Sequence, residues 1–351
     1  MAFRASAIRT NRAIVYARTG DPSQVLGALT FPALPSPPPN TLNIKFLLSP
    51  INPADVNVIQ GVYPAKPALT QLVESGTGSK EQPVFIGGNE GLAEVTHVGT
   101  GISSLSAGDW VVMTKSQSGT WSSSKNVGEQ DVLKLPRGEG LTEVHGATMT
   151  VNPPTAYNML HDFVNLEKDD WLVQNGANSA VGQAVIQIAD ARGLKTLNLV
   201  RKRQDLDHVT KRLEYLGATK VLTYDDLADR TLTETVKEWT AGKGIQLGLN
   251  CVSGKDTTSM ARLLGKDAYL NLTATGFWQS RWYSTHTRQD KENLMHTLVD
   301  LVTQGKLKEP EHEILTISAK DTDEIAGQKI RDIISKMSLG QYGRKVLLRI
   351  E

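Results

Sequence analysis

The sequence predicts an α/β protein in which a mainly antiparallel β domain is followed by a doubly wound domain with a parallel sheet. Before about residue 150, short apolar or alternating runs such as RAIVYA, LNIKFLL and GDWVVM are separated by clusters of Gly, Pro, Ser and Asn, which is typical of antiparallel strands. Beyond Asn152, strand-like and helix-like segments alternate, as in repeated βα units. The chain of 351 residues is long enough for both domains.

The net charge and the apolar runs of the chain argue against nucleic acid and membranes as binding partners. The 38 Lys and Arg residues nearly balance the 37 Asp and Glu residues, so the chain lacks the overall field that favours nucleic acid or an anionic membrane surface. No apolar run approaches the length needed to cross a bilayer. We therefore expect a soluble protein with no nucleic-acid partner and no membrane span.

The cysteine and histidine content argues against a disulfide framework and against a metal centre. Cys251 is the only cysteine, and it lies in the apolar run LGLNCV, which predicts a buried strand residue. The seven histidines form no H-x-x-x-H pair, so no metal is expected.

Three polar or proline-rich stretches interrupt the predicted β domain. Residues 32–39 hold several prolines, which cannot donate to a sheet ladder, and are expected on the surface. Residues 64–83 are polar and predict a long mobile loop, a frequent form of active-site lid. In the polar loop 116–126, Trp121 either lines a pocket or packs the loop onto the core.

The second predicted domain consists of strands that alternate with helices. The predicted strands cover residues 171–174, 196–200, 221–224, 247–252 and 268–272, and the predicted helices cover residues 181–192, a segment ending near 213, 232–239 and 258–264. Helical patterns return at 293–303 and 323–337, followed by the strand-like run KVLLRI. Repeated βα units imply a parallel sheet covered by helices on both faces, the form of a nucleotide-binding domain.

The stretch from Trp171 to Gly193 predicts a dinucleotide site. It has the order strand, glycine turn at Gly176, then helix. A helix that begins directly beyond a strand presents unpaired N–H groups and a positive dipole end, which together hold a phosphate. The strict G-x-G-x-x-G spacing is not met, and an ordinary βα unit would show much of the same pattern.

The turn after the second strand of this domain bears on the cofactor. A carboxylate at this place accepts the ribose 2′-hydroxyl of NADH. Here Arg201, Lys202 and Arg203 follow the strand, and the next acid is Asp205. Cations neutralise a 2′-phosphate, so the turn favours NADPH, although a solvated basic turn would have the same sequence.

Several blocks spread over most of the chain carry a family resemblance. They are NPADVN (52–57), QGVYP (60–64), GNEG (88–91), GDW (108–110), VNPPTAY (151–157), QNG (174–176), SAVG (179–182), LNCV (249–252) and GFW (276–278). With these blocks the chain resembles the medium-chain dehydrogenase/reductase superfamily, and within it the mitochondrial trans-2-enoyl thioester reductase family. Zinc-dependent members carry cysteines and histidines that this chain lacks, so the resemblance is to a zinc-free reductase.

The resemblance implies a reaction and a catalytic acid. Hydride from NADPH adds to C3 of an α,β-unsaturated thioester on acyl carrier protein or coenzyme A, and a proton must then reach C2. Tyr63 is the position to which the resemblance assigns proton donation, and a phenol is a reasonable donor to an enolate. From the residues alone, Tyr63 is equally well explained as a rim residue that packs a turn.

The resemblance also implies a set of cofactor contacts. They are Asn152, Asn178, Ser179, Ala180, Val181, Arg201, Lys202, Arg203, Phe277, Trp278, Gln279 and Lys345. Simpler roles exist for some of them: Asn152 suits an Asx turn, Phe277 and Trp278 suit a core, and Lys345 suits a solvated strand end.

The resemblance further implies how the chain is divided and where it acts. Residues 1–150 are expected to form a GroES-like catalytic domain completed by about 307–351, and residues 151–306 a Rossmann NADPH-binding domain. The expected setting is fatty acid synthesis in the mitochondrial matrix, and the expected assembly is a homodimer. The first 18 residues hold four arginines before the first acid, Asp21, which resembles the end of a presequence or a basic first strand.

One departure from the family pattern lies between the fifth strand of the second domain and the GFW block. Ala268 to Leu272 passes straight into Thr273 to Trp278, so a segment is expected to be missing here. Its loss would weaken nicotinamide contacts, dimerisation or folding. A shortened chain that binds without catalysing is therefore kept as an alternative. A quinone or enone reductase of the same superfamily is a second alternative.

Overall fold

The computed structural model describes residues 10–65, 67–73, 81–252, 254, 256–269, 277–339 and 343–351. The beginning of the basic N-terminal stretch and the junction at 270–276, where a missing segment is expected, therefore lie outside the described residues. Within the described residues, no helix is long and apolar enough to span a membrane, and no group of three or more His, Cys, Asp or Glu is placed to hold a metal ion.

The first part of the chain forms the predicted antiparallel strands. They are β1 Thr10–Tyr16, β2 Gly27–Pro32, β3 Thr41–Ile51, β4 Thr70–Val73, β5 Glu81–Ile86, β6 Leu92–Val98, β7 Trp110–Met113, β8 Ser124–Gly128 and β9 Val132–Lys134, with helices α1 Pro22–Val25, α2 Pro53–Gln60, α3 Glu143–Ala147 and α4 Asn152–His161. One sheet has the order β2-β1-β5-β4.

The larger sheet of this part is completed from the C-terminal segment. Strands β15 His312–Ile317 and β16 Lys345–Ile350 extend it in the order β15-β16-β3-β6-β7-β9, with β8 also paired to β3. Arg12 ties β1 to the same segment, since its Nε donates to Asp323 Oδ1 at 3.0 Å and its guanidinium also donates to the Ser318 carbonyl at 2.9 Å. This pairing supports the expectation that residues 307–351 complete the first domain.

The second part is the predicted doubly wound domain. Its strands are β10 Trp171–Gln174, β11 Lys195–Val200, β12 Lys220–Thr223, β13 Ile245–Leu249 and β14 Leu264–Tyr269, and its helices are α5 Ala180–Ala191, α6 Leu206–Tyr215, α7 Leu232–Trp239, α8 Asp256–Ala261, α9 Gln279–Thr285 and α10 Arg288–Thr303; α11 Asp323–Ser338 joins β15 to β16. The strands are parallel in the order β12-β11-β10-β13-β14. The predicted fold class is confirmed.

The order of the strands positions a ligand site. From β10 the chain moves outward to β11 and β12, and then crosses to β13 on the other side. Open α/β sheets bind ligands at the carboxyl ends of the strands next to such a reversal. Helix α5 begins there, and its inner face is apolar, with Ala184, Val185, Ile188 and Ala189 all buried.

The structure corrects three predictions made from the sequence, and for a fourth, Trp121, it chooses between two alternatives. Residues 64–83 are not one loop, because β4 pairs with β5. The helix expected at 258–264 ends at Ala261, and the next strand begins at Leu264, where it pairs with Ile245.

Cys251 is exposed because β13 ends two residues before it. Trp121 packs its loop, being fully buried with its indole N–H donated to the Pro50 carbonyl.

Candidate active site

Three cavities lie near one another, the first within the doubly wound domain and the other two where the two parts of the chain meet. The glycine-turn cleft contains Gly176 to Ser179, the basic turn and Tyr224. The interdomain cavity contains Ala180, Asn152 and Lys345. The α9 pocket is lined by Tyr63, Met113 to Ser116, Thr150, Val151, Thr155, Phe277 to Ser280 and Tyr283, together with Ala54 and Asn89. Sequence neighbours line successive cavities, Ser179 and Ala180 in the first two and Asn152 and Val151 in the last two, and we call this row of cavities the interdomain path.

The sizes of the cavities suit different parts of a bound complex. The glycine-turn cleft has a volume of about 620 Å³, within the range of small-molecule sites. The α9 pocket has a volume of about 170 Å³. It is therefore suited to a short reacting group, while the larger cleft suits a nucleotide.

Two glycines shape the start of α5. Gly176 has a φ of 63°, a left-handed conformation that glycine adopts without strain. At Gly182 an added Cβ would lie 2.6 Å from the Ala177 carbonyl oxygen, so only glycine lets the helix approach the turn this closely. Ser179 caps the helix by accepting from Gly182 N at 3.1 Å. The N–H groups of Ala180 and Val181 lie in the first turn, where a helix offers no acceptor for them.

Two side chains that sequence reasoning did not single out hold this turn. The Tyr224 hydroxyl, just beyond β12, accepts from Gly176 N at 3.0 Å. Asn175 binds the loop after β13, because its Oδ1 accepts from Cys251 N at 2.6 Å and its Nδ2 donates to the Val252 carbonyl at 2.9 Å. Both contacts join distant parts of the chain, so no local sequence pattern indicates them.

The basic turn opens onto the glycine-turn cleft. Arg203 is engaged by Asp205, with Nη2 and Oδ2 3.0 Å apart, and Lys202 lies 3.7 Å from an oxygen of Asp225. Arg201 makes no hydrogen bond or ion pair with the described residues. The turn therefore offers Arg201 to an anion in the cleft, with Lys202 and Arg203 beside it.

The proposed acid Tyr63 lies in the α9 pocket beside Trp278. The Trp278 indole N–H donates to the Tyr63 hydroxyl oxygen at 2.9 Å, and the rings meet edge to face with centroids 6.2 Å apart. Phe277 lines the same pocket and contacts Phe163 edge to face. The cofactor contact expected of Trp278 stays a prediction; in the structure its ring lies against that of Tyr63, and 40% of the residue is exposed.

Gln279 and Asn152 occupy the inner walls. Gln279 is buried, and its Oε1 accepts from Asn158 Nδ2 at 3.2 Å. Asn152 is the first residue of α4 and faces the interdomain cavity together with Ala180. The Asn152 side chain makes no hydrogen bond with the described residues, so its amide is available to a ligand in that cavity.

A buried network of charged and polar groups joins the interdomain cavity to the α9 pocket. The Lys345 ammonium donates to Asn52 Oδ1, and Asn52 Nδ2 donates to Glu90 Oε1 at 2.9 Å. Thr150 Oγ1 donates to the other Glu90 oxygen at 3.3 Å. Lys345 was expected to contact the cofactor; the structure places its ammonium in this network at the edge of the cavity.

Burial governs the protonation of this network. It raises the pKa of Asp55 to about 7, and it raises the pKa of Glu90 while Lys345 and Asn52 act in the opposite direction. Burial also lowers the pKa of Lys345, against the attraction of the two carboxylates. Sequence reasoning used Asp55 and Glu90 only as parts of motif blocks, because nothing local shows that they are buried together.

Comparison with known proteins identifies the family. Residues 38–151 match the alcohol dehydrogenase GroES-like domain. The mitochondrial enoyl-[acyl-carrier-protein] reductase of Schizosaccharomyces pombe is 36% identical over 336 residues, covering 89% of this chain and 88% of that protein. The chain belongs to the mitochondrial enoyl-[acyl-carrier-protein] reductase family. The family resemblance inferred from the motif blocks is thereby confirmed.

Solved structures of similar proteins agree with this membership in the reductase family. The Etr1p complex with NADP and crotonyl-CoA has a TM-score of 0.87 and 34% identity, covering 97% of this chain and all of that one. The mitochondrial 2-enoyl thioester reductase Etr1p/Etr2p heterodimer from Candida tropicalis has a TM-score of 0.85 and 32% identity, with the same coverage. The likeness spans both domains of the reductase fold.

Proposed function

We propose that this protein is an NADPH-dependent reductase of trans-2-enoyl thioesters, acting in mitochondrial fatty acid synthesis. The observation that carries the proposal is the position of Tyr63 in a small pocket, with the interdomain cavity between that pocket and the glycine-turn cleft. The names of the relatives and the crotonyl-CoA and NADP of the similar complex support the same substrate class and cofactor.

The residues of the cleft fit NADPH. The first turn of α5 offers the N–H groups of Ala180 and Val181 to the pyrophosphate, and the close approach at Gly182 keeps that turn open to a ligand. Arg201 is available for the 2′-phosphate, and the nearest acid, Asp205, is already engaged by Arg203. A carboxylate free to select NADH is thus missing from the described turn.

The chain's own part in the reaction is to orient the enoyl group and to supply a proton. Bound NADPH supplies the hydride. Its addition at C3 moves negative charge onto the thioester oxygen, and the Tyr63 hydroxyl gives its proton to C2, which completes a saturated acyl thioester. Phe277 and Met113 give the pocket apolar walls that exclude water from the reacting atoms.

Turnover of crotonyl-CoA with NADPH, followed by absorbance of the reduced nicotinamide, tests this function. Tyr63→Phe keeps the ring and removes the proton, so kcat should fall by about 10² to 10⁴. Tyr215→Phe, on an exposed ring of α6, is the matched control and should keep the wild-type rate. Full activity of Tyr63→Phe would remove this residue from the mechanism. Turnover of quinones without thioesters would favour a quinone reductase, and saturable NADPH binding without turnover would favour a binding protein.

The carrier and the assembly belong to the same proposal. We infer that the thioester is presented on acyl carrier protein as well as on coenzyme A, in keeping with the names of the relatives. We also infer a homodimer, since a similar reductase forms an Etr1p/Etr2p heterodimer. Kinetics with crotonyl groups on each carrier and sedimentation of the purified protein test the two points separately.

A further inference from the structure

A hydrogen-bonded bridge joins a cation at the interdomain cavity to a buried carboxylate. Lys345, the first residue of β16, donates from its ammonium to Asn52 Oδ1, and Asn52 Nδ2 donates to Glu90 Oε1 at 2.9 Å. Only 3% of Asn52 and 1% of Glu90 are exposed. The bridge therefore runs from the wall of the cavity, which Lys345 lines, to a carboxylate that solvent does not reach.

The chemistry of the donors sets the direction of each bond in this bridge. An ammonium donates and cannot accept, so Asn52 must turn its oxygen toward Lys345 and its N–H group toward Glu90. The second oxygen of Glu90 accepts from Thr150 Oγ1 at 3.3 Å. Both oxygens of Glu90 therefore act as acceptors, an arrangement that favours the ionised carboxylate.

Of the two carboxyl groups in the network, Glu90 is the better placed to carry negative charge. Burial raises its pKa, but the Lys345 ammonium and the donors Asn52 and Thr150 act in the opposite direction. Asp55 Oδ1 has no hydrogen-bond partner among the described residues, and burial raises the pKa of Asp55 to about 7. The charge that balances Lys345 is therefore carried mainly by Glu90, which also exerts the larger attraction on the ammonium.

Lys345 depends on this counter-charge and has unused donors. Burial favours the neutral amine and lowers the pKa of Lys345. The other titratable groups that face the network or the cavity are His145, Lys308, Tyr16 and Tyr283. None of them is negatively charged at neutral pH. An ammonium carries three N–H donors, and Asn52 is its only hydrogen-bond partner among the described residues, so the other donors are available to a ligand in the cavity.

We propose that Glu90 is a positioning residue for cofactor binding: acting through Asn52, its carboxylate holds the Lys345 ammonium at the interdomain cavity, where the ammonium donates to an oxygen of bound NADPH. The proposal rests on the proposed reductase function, from which it takes the cofactor. It gives Glu90 and Asn52 a task in binding, although neither needs to touch the cofactor itself.

The titration of Lys345 tests the first half of the proposal without any cofactor. Carbon-13 NMR of the lysine side chains follows the ammonium as the pH is raised, and Lys345→Met identifies its signal by removing it. Glu90→Gln keeps the shape of the side chain and removes the charge, so Lys345 should lose its proton at a lower pH in this variant than in the wild type. Titration at the same pH in both proteins would overturn the role of Glu90.

NADPH binding, followed by protein fluorescence, tests the second half. We expect Lys345→Met to raise the Kd about 100-fold and Glu90→Gln to raise it about ten-fold at about pH 7. The loss in Glu90→Gln should grow toward that of Lys345→Met as the pH rises, whereas a variant that merely loosens the fold would lose the same factor at every pH. In the Lys345→Met background, Glu90→Gln should change the Kd by less than about two-fold, because it acts through Lys345.

Two further variants complete the test. Asn52→Ser keeps a good N-cap for α2 and both charges but breaks the bridge, so it should raise the Kd about five-fold even if Glu90→Gln fails to fold. Glu94→Gln, on a β6 carboxylate that makes no hydrogen bond or ion pair with the described residues, is the matched control and should bind as the wild type does.

The contrary outcomes separate this inference from the function on which it rests. An equal loss of NADPH affinity from Glu90→Gln with and without Lys345, or wild-type affinity in Asn52→Ser, would overturn the positioning role and leave the reductase function intact. Wild-type protein that binds NADPH but does not reduce crotonyl-CoA would overturn the function alone. Wild-type protein that does not bind NADPH would overturn both.

Discussion

The two ends of the interdomain path are built in different ways. The glycine-turn cleft is formed largely by the main chain of one domain, from the turn at Gly176 and the first turn of α5. The α9 pocket is formed by side chains brought together from distant parts of the chain, with Tyr63 and Trp278 in direct contact. A backbone site depends on space and helix geometry, whereas a side-chain site depends on single functional groups. Mutations at the two ends should therefore affect different kinetic constants.

The largest effect on cofactor binding is expected from Gly182→Ala. The new Cβ would lie 2.6 Å from a carbonyl oxygen, so α5 must move away from the turn or the turn must open. We expect the KM for NADPH to rise about 30-fold or more and the free energy of unfolding to fall by about 1 to 3 kcal/mol. NADPH titration and chemical denaturation measure the two effects. Gly27→Ala, where an added Cβ meets nothing within 4 Å, is the control, and an equal loss in both variants would contradict this explanation.

The largest pH-dependent effect is expected from Asp55→Asn, and it concerns stability. The pKa of Asp55 is raised from 3.8 to about 7 in the folded protein, so the folded state holds this proton more tightly than the unfolded state. Its contribution to stability is full below about pH 4 and is lost as the pH rises through about 7. Relative to wild type, Asp55→Asn should gain roughly 1 to 4 kcal/mol between about pH 4 and 8.

Urea unfolding at several pH values measures this change. Asp300→Asn, on an exposed position of α10, should show no such trend. A parallel pH dependence in wild type and Asp55→Asn would mean that Glu90 or Lys345 binds the proton instead, because the charges of all three groups act on one another. The variant therefore shows whether the buried charge of Asp55, in the network between the two ends, lowers the stability of the folded protein.

A moderate effect is expected from Arg201→Ala. Because Arg201 has no partner among the described residues, its charge is available to the 2′-phosphate, and its loss should raise the KM for NADPH about ten-fold while leaving that for NADH nearly unchanged. Initial rates with both cofactors give the ratio. Arg230→Ala, an exposed cation ahead of α7, is the control; equal changes for the two cofactors would show that Arg201 does not recognise the phosphate.

The smallest effect is expected from Tyr224→Phe. This change removes the acceptor of Gly176 N and keeps the ring in the cleft, so the glycine turn should loosen slightly. We expect the KM for NADPH to rise about three-fold with kcat unchanged, as befits loss of one neutral hydrogen bond. A fall in kcat instead would show that a change in the glycine-turn cleft also affects the reaction in the α9 pocket.

The sequence predicts the cleft formed by the main chain better than it predicts the pocket formed by side chains. The βα alternation and Gly176 predict the doubly wound sheet and its ligand end, because these signals are local and periodic. The contact of Trp278 with Tyr63 and the burial of Asp55 with Glu90 depend on how distant segments pack, and no spacing rule reports this. The prediction that Cys251 is buried is wrong, because an apolar run does not reveal where its strand ends.

The position of β16 has a consequence for the order in which the molecule is assembled. Strand β16 lies between β3 and β15 and pairs with residues 49–51 of β3, so this part of the β3 edge stays uncovered until residues 345–350 have been synthesised. The described strands of the parallel sheet all lie between Trp171 and Tyr269, so they can pair earlier. An uncovered strand edge readily pairs with other chains. The first domain to be translated is therefore the last to be protected from aggregation.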